Sequence, residues 1–322
     1  MSAEGLSRFF TENLTEEGRS DLNQWEAKTL EFAQRVNRDG CEGVAFITSG
    51  GTAVPLEVHA VRFVTNFSSG GRGAVLVEEL LARGWACILL RSKNSQLPFR
   101  RLIDNMTTEQ FFAELNAPQK SCDVSAAIEA YTKYKSRFLE IPYYTVVEYL
   151  YLFSLLTGTL SHRAECLRQT PMMLLAAAAV SDYYIPESRL SHHKMSGGDG
   201  LTIQFNNVPK ILDLISEEWH GSSRAAPRYL ITFKLETEEE QLKAKALRNL
   251  GLYRCDAVVA NMLQNYRERV LVFWNGEEQN PTLLHRSPNG SVESLMIDHV
   301  LQRIKNHAKG CGMQYKLEGR RR

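Results

Sequence analysis

Apolar positions along the chain change their spacing repeatedly, and each change marks a boundary between strand and helix. Val44 to Thr48 reads as a short buried strand, Ala74, Val77, Leu80 and Leu81 recur at helical spacing, and Trp85 to Leu90 is a second apolar strand. Upstream, Leu22, Trp25, Phe32, Ala33 and Val36 share one face of a helix that ends near Gly40 and packs on the sheet edge, while residues 1 to about 20 are polar and poorly patterned. Thr145 and Glu148 form a capping box ahead of an aromatic helix through Leu156, and Pro171 starts a strand over Met172 to Val180. The second half repeats the alternation. Pro209 initiates a helix with Asn207 as its cap, Arg228 to Leu235 is a strand, a helix follows from Thr237 with Glu240 completing its box, and Ala257 to Ala260 is the next strand. Val270 to Trp274 followed by Asn275-Gly276 reads as a hairpin, and Ile297, Val300, Leu301 and Ile304 mark a closing helix.

Strands alternating with helices throughout predict an α/β fold, a single doubly wound, mostly parallel Rossmann-like sheet with ligands at the carboxyl ends of its strands. The organisation expected is a polar segment and helix over 1–40, the main domain over 41–308, and a tail over 309–322. Within the domain, about 91–142 reads as an inserted lid or dimerisation segment, broken by Pro98 and Pro118. It holds one helix after Thr107, capped by Gln110, and another through Val124, Ile128 and Tyr131.

The first strand-to-helix connection is far longer than the roughly 2 to 6 residues usual there. It carries Gly50, Gly51, Gly70, Gly71 and Gly73, which let backbone approach a ligand closely, and Ser68 and Ser69, which donate hydrogen bonds. With the first free N–H groups of the helix these predict a phosphate site, although glycines and serines before a helix serve equally as loop and cap. Neither G-x-G-x-x-G nor G-x-x-x-x-G-K-[ST] is present, so the site is of a less common kind.

Composition narrows the picture. The chain has 322 residues, 43% apolar content and a net charge of +1, enough for a sizeable core and no argument for a nucleic-acid or membrane-surface partner. The basic end Arg320, Arg321, Arg322 is a solvated tail. Six cysteines, Cys41, Cys87, Cys122, Cys166, Cys255 and Cys311, contain no C-x-x-C pair and read as reduced thiols of a cytosolic protein. The longest apolar run, Met172 to Val180, is too short to span a bilayer, and the N-terminus lacks a signal-peptide order. A soluble, cytoplasmic protein is expected.

Residues just after the strands should gather at one edge: Gly50 and Gly51, Asp182, Lys234 and Asn261. These types suit a charged substrate. Ala176 to Ala179 leave room for a ligand against the backbone, or equally allow tight helix packing.

The segments I-T-S-G-G-T, V-R-F-V-T-N-F-S-S-G, A-A-A-V-S-D-Y-Y-I-P, the pair His193 and Lys194, N-V-P-K-I-L, I-T-F-K-L-E-T and V-V-A-N occur in order from Ile47 to Asn261. In these the sequence resembles phosphopantothenoylcysteine synthetase (phosphopantothenate–cysteine ligase) of the eukaryotic type. The resemblance implies a homodimeric enzyme of coenzyme A synthesis that joins 4′-phosphopantothenate to L-cysteine through an acyl-adenylate. It implies Asn66, Ala178, Ala179 and Asp182 as contacts for phosphopantothenate, with Arg62 reaching it from the partner subunit. Gly50, Ser68, Gly70, Gly73, Phe233 and Asn261 match the nucleotide-binding positions. Bacterial members carry a K-x-K-K loop and use CTP; here His192 to Met195 reads H-H-K-M, which points to ATP.

The residue chemistry agrees with that reaction. A carboxylate approaching a triphosphate meets repulsion of about 4 kcal/mol per unit pair at roughly 4 Å and an effective dielectric near 20, whereas a neutral hydrogen bond nets only about 1 kcal/mol. Cations and Mg²⁺ must therefore serve the first step. Lys194 and Lys234 are the catalytic candidates, with Lys210 a third cation for the nucleotide, and each can equally be a solvated lysine. Asn66 is uncharged and suits donation to the acyl-adenylate carbonyl as the amine attacks. His192 and His193 read as loop residues, since adjacent side chains rarely face one metal ion, and no metal ligands are assigned. Two other readings stay open. Tyr131 and Lys135 stand in the Y-x-x-x-K spacing of a nicotinamide-dependent reductase, and a non-catalytic nucleotide-binding regulatory protein could keep the same fold.

Overall fold

The computed structural model describes residues 2–116, 123–195, 201–221, 226–288 and 290–310. One sheet of eight strands organises them: β1 (Val44–Ser49), β2 (Ala86–Ser92), β3 (Phe138–Tyr143), β4 (Met172–Ala176), β5 (Arg228–Glu236), β6 (Ala257–Met262), β7 (Arg269–Trp274) and β8 (Thr282–His285). Their spatial order is β8-β7-β6-β5-β4-β1-β2-β3. The first six run parallel, and β7 and β8 close one edge antiparallel. Winding reverses between β1 and β4, which pair from Val44 opposite Met172 to Thr48 opposite Ala176. That reversal is where a doubly wound sheet opens a crevice for ligands.

Seven helices flank the sheet: α1 (Ala3–Asn13), α2 (Glu16–Asp39), α3 (Gly71–Ala82), α4 (Val146–Gly158), α5 (Leu212–Gly221), α6 (Glu239–Tyr253) and α7 (Val292–Gly310). Strand side chains alternate between two cores. Val44 and Phe46 join the core under α1, α2, α4, α5 and α6, whereas Ala45 and Ile47 join the core under α3 and α7. A strand covered on both faces needs an apolar run and not an alternation, which is why every residue of β1 is buried. Fully burying a side chain such as Phe46 or Leu76 stabilises by about 1.5 to 3 kcal/mol.

Several expectations hold. Thr145 and Glu148 form the capping box of α4, and Thr107 and Gln110 bond reciprocally at the start of a helix over Thr108–Asn116. Others are corrected. The first twenty residues contain α1, whose Leu6, Phe9 and Phe10 are buried; three apolar residues among polar ones make too faint a stripe to read. β4 stops at Ala176 and not Val180, because the amides of Ala178 and Ser181 turn to the hydroxyls of Thr48 (3.2 Å) and Thr52 (2.9 Å). Asn207 does not cap α5, which begins at Leu212; Asn206–Asn207 instead pairs with Tyr183–Tyr184. The box at Thr237 and Glu240 is absent, since β5 extends to Glu236 and α6 starts from Glu238 with no side-chain cap. β7 and β8 do form a hairpin, but Asn275-Gly276 is only the first of two turns joining them.

The helix through Leu22 and Val36 is α2, and it packs chiefly on α4, with Arg35 reaching the Ser136 carbonyl near the sheet edge (3.1 Å). The stretch 91–142 ends in β3, the edge strand beside β2. Before it, the helix Asp123–Tyr134 carries Tyr131 against Phe99, while Lys135 falls in a separate tight turn. The α-helix thus ends between the two members of the Y-x-x-x-K pair. Cys122, Cys311 and the basic tail lie outside the described residues.

Candidate functional site

The phosphate loop is built by close packing at the end of β1. Gly70 caps α3 with φ of 73°, and a Cβ there would stand 2.4 Å from Ser95 Cβ. A Cβ on Gly73 would stand 2.2 Å from Ser49 Oγ, and the Ser49 hydroxyl donates to the Gly70 carbonyl (3.1 Å). Only glycine fits at either position. No side chain caps α3; Ser69 Oγ reaches the Gly71 amide at a long 3.4 Å. The first turn of α3 thus has amide groups without a side-chain cap, the feature an anion site at a helix N-terminus needs. Ser68 lies half-buried in the turn before it.

Strand alternation sorts the remaining residues onto two faces. On the α3 face lie Phe233 and Asn261, and between them stands Arg72, which sequence reading did not single out. Its Nη1 donates to Asn261 Oδ1 (2.6 Å), its Nη2 to the Tyr266 carbonyl (2.7 Å) and its Nε to Glu293 (3.2 Å). The guanidinium carbon sits 5.7 Å from the centroids of both the Phe233 and Tyr266 rings. The bond to Oδ1 fixes the Asn261 amide, because flipping it would set donor against donor. Its Nδ2 is buried without a partner, an orphan donor beside Arg72 and among the residues that match nucleotide-binding positions by resemblance. A lone arginine among the small residues of S-S-G-G-R-G was the available signal.

The opposite face carries the residues expected to meet phosphopantothenate. Ala178 and Ala179 leave β4 where the chain crosses to β1: the Ala179 amide donates to the Gly50 carbonyl (2.8 Å), and the Thr52 amide donates to the Ala179 carbonyl (3.2 Å). A cavity of about 190 Å³ lies beside Ala178, lined by Tyr149, Ala176, Lys210 and Thr232 among others. Asp182 is exposed and ion-paired with Lys210, so Lys210 stands with the acid of the substrate set and not at the α3 turn. Lys234 lies 3.1 Å from Glu236, which Lys245 also approaches at 2.8 Å. Burial pushes the Glu236 carboxyl up, but the hydrogen bonds and charges of Lys245 and Lys234 outweigh it and hold it below the usual range. Its second lysine leaves this cluster with a net positive charge.

Asn66 stands exposed at the rim. Its backbone N–H donates to the Thr52 carbonyl (3.3 Å), and a Cβ on Gly51 would lie 2.1 Å from the Asn66 backbone carbonyl oxygen, so that glycine is required by contact. Arg62 lies earlier in the excursion between β1 and α3, and Lys194 lies on the segment after β4 that runs beside it. Arg62 is held in its own chain by Glu57 (Nε to Oε1, 3.0 Å) and by the Met195 carbonyl (2.5 Å), while Lys194 sits on an exposed segment alongside. His193 stacks on His59 at 5.9 Å. Among the described residues no group of three or more His, Cys, Asp or Glu side chains is placed to hold a metal ion, and no helix is long and apolar enough to cross a membrane.

This sheet, with its reversal at β1 and β4 and its glycine turn at α3, is that of an α/β enzyme of the DNA/pantothenate metabolism flavoprotein C-terminal domain class, whose family model matches residues 42–139 and 159–298. Phosphopantothenate–cysteine ligase 2 of Oryza sativa subsp. japonica is 35% identical over 275 residues, 82% of this chain and 81% of that protein. The phosphopantothenate–cysteine ligase of Homo sapiens is 31% identical, over 84% of this chain and 88% of its own. Among solved structures, a Cab2 mutant in complex with phosphopantothenate-cysteine superposes with a TM-score of 0.81 at 28% identity, over 94% of this chain and 99% of that one. The chain belongs to the phosphopantothenate–cysteine ligase family, a family of carbon–nitrogen ligases.

Proposed function

We propose that the protein ligates 4′-phosphopantothenate to L-cysteine at the expense of ATP, through an acyl-adenylate, as a cytoplasmic homodimer in coenzyme A synthesis. The observation that carries this reading is the division of the crevice. An uncapped helix turn with Arg72, Phe233 and Asn261 lies on one face, and Ala178, Asp182 and the lysine cluster lie on the other, joined across Gly50 and Gly51. A triphosphate on the first face and a carboxylate on the second would meet at the switch between β1 and β4.

In the first step a pantothenate carboxylate oxygen bonds to the α-phosphorus and the bond to pyrophosphate breaks. In the second the cysteine amine bonds to the acyl carbon, AMP leaves with the C–O bond electrons, and the amine proton passes to solvent. Lys194 and Lys234 offset the charge of the first step, and the Asn66 amide donates to the carbonyl oxygen of the second. The acids described here are already engaged, Asp182 by Lys210, Glu236 by two lysines and Glu293 by Arg72. Mg²⁺ fits such a site only when carried largely by the nucleotide's own phosphates, as its preference for phosphate oxygens and water allows, and it would supply charge neutralisation there. Exposed Val58, Val61, Val64 and Phe67, the last 95% accessible, support a partner subunit over the excursion that bears Arg62.

Purified protein with Mg²⁺, ATP and 4′-phosphopantothenate should release pyrophosphate, and AMP should accumulate on repeated turnover only when cysteine is added. CTP should be a poorer substrate, and free pantothenate much poorer. AMP formation with no dependence on phosphopantothenate, or hydride transfer from a nicotinamide cofactor, would overturn the reading.

A further inference from the structure

Between β1 and α3 the chain buries a carboxylate in a loop that has almost no core of its own. Glu57 is 0% exposed, yet Val58 and Val61 beside it are open to solvent. A buried carboxylate is costly unless its oxygens are satisfied, and the partners of Glu57 lie on one small ribbon and, through the Met195 backbone, on the segment beside it. Its Oε2 accepts the backbone N–H groups of Arg62 (3.2 Å) and Val61 (3.4 Å). Its Oε1 lies 3.0 Å from Arg62 Nε, an ion pair by distance whose angle falls short of a hydrogen bond. The Leu56 amide donates to the Arg62 carbonyl (3.0 Å) and closes the turn.

The same ribbon binds the segment that bears Lys194. Val58 and His59 donate to the carbonyls of Ser191 (2.9 Å) and His192 (3.3 Å), and Arg62 Nη2 donates to the Met195 carbonyl (2.5 Å). Glu57 therefore stands at the root of two strands of chain, one carrying Arg62 and the other Lys194. With Nε on Glu57 and Nη2 on Met195, Arg62 Nη1 has no partner among the described residues, and a guanidinium clamped on two sides presents that nitrogen in one direction.

We propose that Glu57 is a positioning residue, locking Arg62 and the Lys194 segment into one unit so that the anion held by Arg62 and the phosphates engaged by Lys194 keep a fixed register. This rests on the proposed function for what the two cations bind, but not for the lock itself. Because Glu57 neutralises the charge it orients, its contribution is geometry. A glutamine there keeps an acceptor for the two amides but turns an N–H group toward Arg62 Nε, which releases the guanidinium.

The test compares wild type, Glu57→Gln, Arg62→Ala and the double variant as full-length protein. Hydrogen exchange without ligand should rise in Glu57→Gln over both 56–62 and 191–195 together. The KM for phosphopantothenate should increase about 10- to 100-fold, the scale seen when a group orienting a functional side chain is lost, with the KM for cysteine unchanged. In the Arg62→Ala background the same change should add less than about twofold, since Glu57 acts through Arg62. Exchange confined to 56–62, or fully multiplicative kinetic effects, would overturn the proposal. Should Glu57→Gln melt too low to compare, Glu57→Asp, one methylene shorter with the charge kept, carries the same measurements. If wild type itself forms no product, the functional reading fails, while the exchange result still judges the lock.

Discussion

Arg72 holds four groups at once, and its loss should be felt in two ways. Arg72→Met removes the partner of Asn261 Oδ1 and of Glu293 while keeping much of the side-chain bulk. Leaving such acceptors without a donor costs about 1 to 3 kcal/mol, so denaturant unfolding should show a loss of that size. ATP affinity should fall about tenfold or more, because the Asn261 amide is no longer fixed. Normal ATP binding in a destabilised variant would make Arg72 structural only. A second single residue governs acid stability. The indole N–H of Trp274 donates to Nε2 of His299 (3.0 Å), which requires an unprotonated nitrogen. Burial, then the Arg303 charge, lowers the His299 pKa below the usual value, with Glu277 opposing. The unfolded chain therefore binds the proton more readily, so this contribution is complete above about pH 6.5 and is lost as pH falls through the folded value. His299→Gln, which keeps an acceptor but does not titrate, should show a smaller drop in Tm between pH 7.5 and 5.5 than wild type. Equal drops would remove His299 from the account.

The decisive element is α3 and the turn that delivers it. Its apolar face was legible from Ala74, Val77, Leu80 and Leu81, and its glycines announced a close backbone approach, but the surface approached is Ser49 of β1. Gly73→Ala sets a methyl 2.2 Å from Ser49 Oγ and 2.4 Å from its Cβ, so the helix must shift. Overpacking of this kind costs about 1 to 3 kcal/mol and should also weaken nucleotide binding. Adding Ser49→Gly removes both clashing atoms and should restore part of each loss; no recovery would mean that the glycine serves another purpose. The ends of β4 and α5 were misplaced for one shared reason. Hydroxyls on Thr48 and Thr52, and the pairing of Asn206–Asn207 with Tyr183–Tyr184, draw away backbone that local preference assigned to a strand or a cap.

At the scale of the whole molecule, the proposed site would draw on two chains. Arg62 lies on an excursion with exposed apolar residues, and Asp182 lies across the crevice on the body of the sheet. If Arg62 completes the partner's site, neither Arg62→Ala nor Asp182→Ala alone should turn over well. Mixed dimers of the two should regain up to about half of the wild-type dimer's activity, since one of the two crevices then contains both native residues. A verified mixed dimer with no recovery would return Arg62 to its own subunit and leave the ligation reaction untouched.

Period and composition in the sequence determined the alternation of strands and helices, the doubly wound class, the glycine turn before α3 and, through motifs spread from Ile47 to Asn261, the family. Those signals are local, carried by neighbours a few positions apart or by short runs of residues. Tertiary structure alone decided which face of the sheet each site residue occupies, which acids engage Lys210 and Lys234, and that Arg72 and Glu57 are the side chains holding Asn261 and Arg62. Glu57 meets the 191–195 segment, and Arg72 meets Asn261 and Glu293, only when the sheet brings distant parts of the chain together. Pairings across such separations leave no period in the sequence, because the energy that selects them comes from burial and charge in the assembled fold.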